Sequence, residues 1–281
     1  MPRPPQGRGG RRQPPPRRRD GAAVDRREPA KGVGGEQVEG RHAVRELLLA
    51  GRRRVKDVWM AEDMEPSAIL DEITELAGEL RVSIKRVSRG ALETAARSDA
   101  PQGVLAHAQP IPEVDLDRLV ERRDPDAPTP FLICLDGITD PQNLGALLRT
   151  AECSGATGVV LPRHRSAHVT PTVAKAAAGA VEHLPVALVG GMPSALARLK
   201  ELGVWTVGLD GAGDSSIFEL NVATEPIALV FGAEGRGLSR LVRDRCDVLA
   251  SIPLRGALAS LNVSAAAAVA CYEVARRRQP L

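Results

Sequence analysis

The chain has 281 residues, and its formal net charge of +3 is unevenly distributed. Residues 1–35 contain ten Lys or Arg and three Asp or Glu, which gives this segment +7 and leaves −4 on the other 246 residues. The segment is rich in Pro and Gly and has almost no apolar side chains. We therefore predict a disordered basic arm, because too little surface is available for burial to offset the entropy of ordering.

Composition excludes several classes of protein. No run approaches the roughly 18 apolar residues that a membrane span needs, and the N-terminus lacks the apolar stretch of a secretory signal. Six aromatic residues are too few for a surface that reads bases by stacking. The four cysteines form no C-x-x-C pair, so we expect no disulfide framework, no zinc site and a cytoplasmic location; they are Cys134, Cys153, Cys246 and Cys271.

The first patterned block, residues 37–109, is predicted to be a small α/β domain. HAVRELLLAG has helical spacing and a glycine stop, VKDVWMAE alternates like a strand, and PSAILDEITELAGEL is amphipathic. VSIKRV and GVLAHA resemble strands on either side of a helical RGALETAARS. Residues 110–130 are rich in Pro and charge, so we interpret them as a linker that could hold one helical turn.

The second block, residues 131–281, is predicted to be an α/β domain around a parallel sheet. Its strands are unbroken apolar runs, as in strands buried on both faces, and they alternate with helical segments. The strand segments are FLICLD, TGVVLP, LPVALV, VWTVGLD, PIALVFG and LASIPL. The helical segments are NLGALLRTAECSG, TPTVAKAAAGAVEH, MPSALARLKELG and SLNVSAAAAVACYEVARRR.

The first candidate motif, LDGITDPQNLGALLRTAECSGA, follows the first of these strands. Asn143 is predicted to be the helix N-cap, and Arg149 lies well inside the helix. Ligands of open α/β sheets bind at the carboxyl ends of parallel strands. Asn143 is therefore a candidate site residue, although, taken alone, residue preference favours a helix cap and nothing more.

The second motif, ALVFGAEGRGLSRL, places three glycines between a strand and a helix: Gly232, Gly235 and Gly237. Such glycines let backbone amides approach a ligand closely. The spacing G-x-x-G-x-G differs from the dinucleotide fingerprint, and the G-K-[ST] of a phosphate loop is missing. Glu234 within the loop would repel phosphate, so a cationic or hydroxylated ligand suits it better.

The third motif, SIPLRGALASLNVSAAAAVACYEV, joins the last strand to the last helix. Ser260, Asn262 and Ser264 open a helix that is then almost pure alanine. Alanine side chains allow another backbone to come very close. An N-capped, tightly packed terminal helix is the alternative that needs no function.

These three segments, in this order, resemble the signature motifs of the SpoU-type RNA 2′-O-ribose methyltransferases in the knotted SPOUT superfamily. The resemblance implies a parallel-sheet methyltransferase domain with a trefoil knot, preceded by a small RNA-binding domain. It is greatest to the enzymes that methylate a guanosine ribose in 23S rRNA. It spans about residues 38–278, with Pro101-Gln102-Gly103 standing where family members often have His-Gln-Gly. It does not cover the arm.

The resemblance also implies a reaction and its residues. S-adenosylmethionine would be the methyl donor, RNA the substrate, and a homodimer the working unit, with no metal and no membrane. The cofactor pocket would be lined by Gly232, Ile252 and Leu261. The catalytic set would comprise Arg149, Asn143, Glu234, Ser260 and Asn262.

Arg149 has two possible roles in that set. Family members are described with this arginine as the general base, sometimes reaching across the dimer. A guanidinium has a pKa above about 12, so a charged Arg149 could instead hold the target phosphate and stabilise the developing alkoxide. Asn143 and Glu234 would orient Arg149 or the ribose.

Other interpretations remain open from the sequence. A tRNA ribose methyltransferase or a non-catalytic RNA-binding ribosome-assembly factor could carry this fold, whereas a nicotinamide dehydrogenase fails on glycine spacing. His164 and His168 have no third ligand nearby, so we expect no metal there. The remaining expectations are that Cys153 is a core residue, and that two groups of basic side chains face RNA or solvent, namely residues 52–54 and Arg163, Arg165 and Lys175.

Overall fold

The structure, a computed structural model, describes Met1, residues 32–122, Asp124, residues 126–164 and residues 168–278. Residues 31–281 form one compact unit. Residues 2–31 of the predicted arm, and Arg165, lie outside the described residues. Within the described part of the chain, no helix has the length and apolarity to cross a membrane.

The N-terminal domain is a four-stranded sheet with three helices. The sheet has the order β1-β4-β2-β3, in which β2 and β3 run parallel and the other pairs antiparallel. Its strands are β1 (Gln37–Glu39), β2 (Val55–Ala61), β3 (Ser83–Val87) and β4 (Val104–Ala108). Its helices are α1 (Arg41–Ala50), which stops at the left-handed Gly51, α2 (Ala68–Glu79) and α3 (Arg89–Ala95).

The C-terminal domain is built on a seven-stranded sheet with parallel pairing throughout, in the order β7-β6-β5-β10-β8-β11-β9. Its strands are β5 (Phe131–Asp136), β6 (Gly158–Pro162), β7 (Val186–Val189), β8 (Trp205–Leu209), β9 (Ser215–Ser216), β10 (Ile227–Gly232) and β11 (Val248–Ser251). The predicted α/β domain around a parallel sheet is confirmed. The two-residue β9 was not predicted.

Helices cover both faces of this sheet. They are α4 (Pro141–Cys153), α5 (Pro171–Ala176), α6 (Met192–Glu201), α7 (Arg240–Arg243) and α8 (Val263–Arg278). Alternate residues of one strand enter different cores: Ile133 packs with α4, α5 and α8, whereas Leu132 and Cys134 pack with α6 and α7. Both faces of the strands are therefore buried, as their unbroken apolar runs predicted.

Helix α4 lies between two other helices, and small residues allow the close approach. A Cβ on Gly145 would lie 2.4 Å from the Cβ of Ala176 in α5, so only glycine fits there. On the other side, the buried Ala267 and Ala270 of α8 pack in the same core as α4. This packing fixes α4, and with it Asn143, relative to the start of α8.

An ion pair buried between the two domains joins them. Arg53 donates from Nε to Oε2 of Glu182 at 2.9 Å and from Nη2 to Oε1 at 2.5 Å, and each side chain is 2% exposed. Nη1 donates to the carbonyls of Gly35 and Gln109 at 2.6 and 2.5 Å. Arg53 is therefore not the solvated or RNA-facing residue that the sequence suggested; its neighbours Arg52 and Arg54 are exposed.

The segment between the domains is packed against the C-terminal sheet. Ile111 and Leu119 are buried, and the amide of Val114 donates to the carbonyl of Val186 in β7 at 2.9 Å. One 3₁₀ turn, Leu116–Leu119, is the helical turn that the sequence allowed. At the other border, Val33, which we placed in the arm, is 1% exposed and belongs to the core, so the prediction that the disordered arm extends through residue 35 is wrong.

Candidate active site

The glycine motif closes into a tight loop at the carboxyl end of β10. Ala233 and Gly237 pair across it, with the Gly237 amide donating to the Ala233 carbonyl at 2.8 Å. Gly235 and Gly237 have φ of 76° and 64°, which favours glycine. A Cβ on Gly232 would lie 2.1 Å from the carbonyl carbon of Gly237, so no other residue fits at Gly232.

A cavity of about 480 Å³ lies beside this loop. The loop forms one wall, and the segment between β11 and α8 forms the opposite wall, including Ile252, Ser260 and Leu261. The family resemblance implied one pocket for Gly232, Ile252 and Leu261, and these three residues line this cavity. Asp210 and Gly211 also line it but were not singled out from the sequence; their position just after β8 was the available signal.

The three motifs meet in a directional chain of hydrogen bonds at the edge of the cavity. The Ser264 amide and hydroxyl donate to Asn262 Oδ1 at 2.8 and 2.6 Å. Asn262 Nδ2 donates to Asn143 Oδ1 at 3.0 Å, and Asn143 Nδ2 donates to Glu234 Oε2 at 2.9 Å. Each side-chain amide accepts through its oxygen and donates through its nitrogen, so the chain fixes the orientation of both amides and of the carboxylate.

The prediction that Asn143 caps helix α4 is wrong. The cap is Asp140, whose Oδ1 accepts from the amides of Gln142 and Asn143 at 2.7 and 2.9 Å. Pro141 occupies the first helical position, where its missing amide hydrogen costs nothing. The Asn143 side chain is thereby free to point away from its own helix and to join Glu234 and Asn262.

Arg149 lies apart from this arrangement. It is exposed on α4, and it lines neither the cavity beside the glycine loop nor a second cavity that adjoins it. Its guanidinium lies beside Cys153, one helical turn further on. Desolvation, with a smaller contribution from Glu152, raises the pKa of the Cys153 thiol, and Arg149 opposes this. Cys153 is exposed, so the prediction that it is a core residue is wrong.

A second, larger cavity of about 860 Å³ adjoins the first. It lies at the carboxyl ends of β5, β6 and β7 and at the start of α6. Ala233, Glu234 and Gly237 line both cavities, and Asn143 lines the second. The bond between Asn143 and Glu234 therefore stands where the two cavities meet.

The described ranges contain no candidate metal-binding cluster. No group of three or more His, Cys, Asp or Glu side chains is placed to hold a metal ion among those residues. The four cysteines are free thiols. Burial raises the pKa of Cys271 to about 12, so this thiol is kept neutral.

Sequence comparisons match both domains. The pattern of the SpoU rRNA Methylase family matches residues 130–272, and that of the RNA 2′-O ribose methyltransferase substrate-binding domain matches residues 37–114. The 23S rRNA (guanosine-2′-O-)-methyltransferase RlmB of Pseudomonas putida is 39% identical over 87% of this chain and 97% of its own. The enzyme of the same name from Pseudomonas aeruginosa is 40% identical over 88% and 98%.

Comparison of structures gives the same family. The SpoU methyltransferase AviRb of Streptomyces viridochromogenes, solved in complex with the cofactor AdoMet, superposes with a TM-score of 0.72. It is 27% identical, and the match covers 86% of this chain and 89% of that one. A solved RNA 2′-O ribose methyltransferase superposes with a TM-score of 0.69 at 26% identity, covering 86% and 88% of the two chains.

Proposed function

Because the chain belongs to the SpoU rRNA methylase family, we propose that it transfers a methyl group from S-adenosylmethionine to the ribose 2′-oxygen of a guanosine in 23S rRNA. The observation that carries this proposal is the hydrogen-bonded chain Asn262–Asn143–Glu234. It joins three motifs that are far apart in the sequence, and it does so at the rim of a cavity.

The first cavity suits S-adenosylmethionine, which AviRb holds in its solved complex. Its volume of about 480 Å³ falls in the range of small-molecule sites, which are mostly apolar with a few polar groups. Ile252 and Leu261 offer apolar surface to an adenine, and Gly232 leaves the backbone open to close approach. Glu234 on the rim is compatible with the positive charge of a sulfonium.

When bound, S-adenosylmethionine supplies an electrophilic methyl group, and the protein must align an oxygen with it and remove one proton. Asn143 occupies Oε2 of Glu234, which leaves Oε1 to accept a hydrogen bond from a ribose 2′-hydroxyl. That bond would aim the oxygen lone pair toward the first cavity, and Glu234 would take up the hydroxyl proton as the bond between the oxygen and the methyl group forms and the bond between the methyl group and sulfur breaks. Asn262 and Ser264 keep the carboxylate in this orientation through Asn143.

Arg149 enters this proposal through a second copy of the chain. Since Arg149 lines neither cavity of its own chain, we infer a homodimer in which it serves the partner's site. There its permanent charge would hold the target phosphate and stabilise the developing alkoxide. Exposed apolar side chains on α8 and on the segment before it are compatible with such an interface; they are Leu254, Leu258, Leu261 and Tyr272.

The substrate-binding match supports a role in RNA binding for the N-terminal domain, and the +7 arm would add a salt-sensitive attraction to phosphates. The knot that the resemblance implies, and a cytoplasmic location among ribosomal RNA, belong to the same proposal. Deletion of residues 1–31 should weaken RNA affinity at low salt and leave the methylated nucleotide unchanged.

Two measurements test the enzymatic proposal. Calorimetry should show that the wild type binds S-adenosylmethionine, and mapping of 2′-O-methyl sites in total RNA with and without the gene should reveal one guanosine of 23S rRNA. Glu234→Gln should retain most cofactor binding and lose about a hundredfold or more in kcat, whereas the exposed Asn221→Ala should retain both. No cofactor binding by the wild type would refute the proposal.

A mixing experiment tests the shared site. Arg149→Ala and Glu234→Ala should each be inactive as homodimers. If Arg149 serves the partner's cavity, mixed dimers contain one complete site, and an equal mixture should recover about a quarter of wild-type activity. If Arg149 serves its own chain, mixing restores nothing.

A further inference from the structure

The proposed function assigns the cofactor to the first cavity, and the second cavity shares three wall residues with it. A methyl transfer needs two molecules to meet at one point, and the two cavities meet at Glu234. The second cavity has a volume of about 860 Å³, in the upper part of the range for small-molecule sites. The cavity is thus large enough for a nucleotide turned out of its RNA strand.

Three carboxylates line the second cavity, and two of them are already engaged in building the site. Asp140 caps α4, and Glu234 accepts from Asn143. Asp136, at the end of the central strand β5, accepts only from the Ser239 hydroxyl, from Oγ to Oδ2 at 3.1 Å. In the described structure its Oδ1 has no partner, and it is half-buried beside the apolar side chains of this cavity.

The remaining walls suit a base and its phosphate. Met192 and Leu238 close the inner wall from the core, and Leu241 is 68% exposed, so Leu241 offers apolar surface to a base. Arg236 lies exposed at the rim in the glycine loop, without an ion pair in the described ranges. A guanidinium there is placed to contact a phosphate outside the cavity.

A carboxylate in a nucleoside cavity discriminates between bases, because it can only accept hydrogen bonds. The Watson–Crick edge of guanine presents two adjacent donors, N1–H and the 2-amino group. The corresponding positions of adenine are an acceptor nitrogen and a C–H, which would leave a half-buried carboxylate oxygen unpaired. Asp136 therefore favours guanine over adenine.

We propose that the second cavity receives the target guanosine, that Asp136 reads its N1–H and 2-amino group, and that Arg236 contacts an adjacent phosphate. The ribose then lies at the junction of the cavities, where Glu234 can accept from the 2′-hydroxyl. Ser239 acts as a positioning residue, because its hydroxyl fixes one carboxylate oxygen of Asp136. This inference rests on the proposed methyl transfer and names the specificity residues of the same site.

The test uses the full-length protein and an RNA fragment that contains the mapped guanosine, alongside fragments with inosine or adenosine at that position. Inosine lacks only the 2-amino group. The wild type should methylate the inosine fragment about tenfold less efficiently than the guanosine fragment, and the adenosine fragment less efficiently still. Equal kcat/KM of the wild type on the guanosine and inosine fragments would show that the 2-amino group is not recognised, and this comparison needs no variant.

Variants separate the two cavities. Asp136→Asn should lower kcat/KM on the guanosine fragment about ten- to hundredfold and narrow the preference for guanosine over inosine. Its dissociation constant for S-adenosylmethionine should stay within about twofold of wild type, since Asp136 does not line the first cavity. Ser239→Ala should shift the preference in the same direction by a smaller factor, and Arg236→Ala should raise KM with little change in kcat.

Matched controls are Asp214→Asn and Arg240→Ala, exposed residues that line neither cavity. Both should behave as wild type. If Asp136→Asn keeps wild-type efficiency and base preference, or loses cofactor binding, the inference is wrong. If the wild type itself fails to bind S-adenosylmethionine or to methylate the guanosine fragment, the proposed function fails first and the inference fails with it.

Discussion

Removal of one partner of the buried Arg53–Glu182 pair should destabilise the protein far more than removal of a surface charge. Glu182→Gln keeps the size of the side chain and removes its charge, so a guanidinium only 2% exposed loses its carboxylate. Arg53→Met leaves the Glu182 carboxylate buried without its guanidinium, and it also removes the donor to the carbonyls of Gly35 and Gln109. Both variants leave buried polar groups without partners.

The expected magnitude follows from burial. Breaking a buried ion pair by removing one partner costs about 3–5 kcal/mol, against less than about 0.5 kcal/mol for a typical surface change. At about 2–4 °C per kcal/mol for a chain of this size, each single variant should lower Tm by about 6–20 °C. The double variant Arg53→Met, Glu182→Gln should lose much less than the sum, because no uncompensated charge remains.

Thermal and urea unfolding of the four proteins give the double-mutant cycle, with Arg54→Met as the control because Arg54 is the exposed neighbour in the same basic run. The control should lie within about 0.5 kcal/mol of wild type. Limited trypsin digestion reports domain separation, and both single variants should be cut faster between the domains. Single variants as stable as the control, or strictly additive losses, would refute the buried-pair argument.

Three further outcomes follow from the structure. Gly232→Ala forces a backbone shift in the glycine loop and should weaken S-adenosylmethionine binding by roughly ten- to hundredfold in calorimetry; a change below twofold would contradict the contact. Iodoacetamide at neutral pH followed by mass spectrometry should label the exposed Cys153 and leave Cys271 unlabelled until the protein unfolds. Arg276 holds the pKa of the buried Glu273 below its ordinary value of 4.5. The ionised Glu273 therefore stabilises the folded protein above pH 4.5, and this stabilisation is lost as pH falls through the pKa of the folded state. Glu273→Gln should therefore show a flatter dependence of Tm on pH between roughly pH 5 and 3 than wild type.

The fold was predictable where periodicity is strong. Residues 131–135 of β5 and all of β10 are buried and carry no polar side chain because both faces of the sheet are covered, and such runs alternating with helical segments indicated a parallel sheet. The two-residue β9 was missed, because so short a segment shows no periodicity, and the helix predicted after the glycine motif is only the four-residue α7. The helix predicted over residues 170–183 is instead α5 and a separate 3₁₀ turn, with Ala178 and Gly179 both at positive φ between them.

Burial of charge was not predictable from local sequence. Arg53 stands in a run of three arginines, and its partner Glu182 is 129 residues away in the chain. Only the folded domains bring them together. The capping error at Asn143 was avoidable, since Asp140 followed by Pro141 is itself a helix-start signal. That error concealed the more informative fact that the Asn143 side chain is available for another role.

The two walls of the first cavity differ in how firmly they are held. The glycine loop is closed on itself by backbone contact between Gly232 and Gly237 and by the Ala233 hydrogen bond. In the described structure, the opposite wall makes no backbone hydrogen bond from Pro253 to Leu261. Movement during a catalytic cycle should therefore be confined to residues 253–261. When S-adenosylmethionine binds, amide hydrogen exchange should slow in this segment and stay unchanged in the glycine loop. Release of the cofactor product, which has lost its methyl group, would then depend on how fast residues 253–261 open.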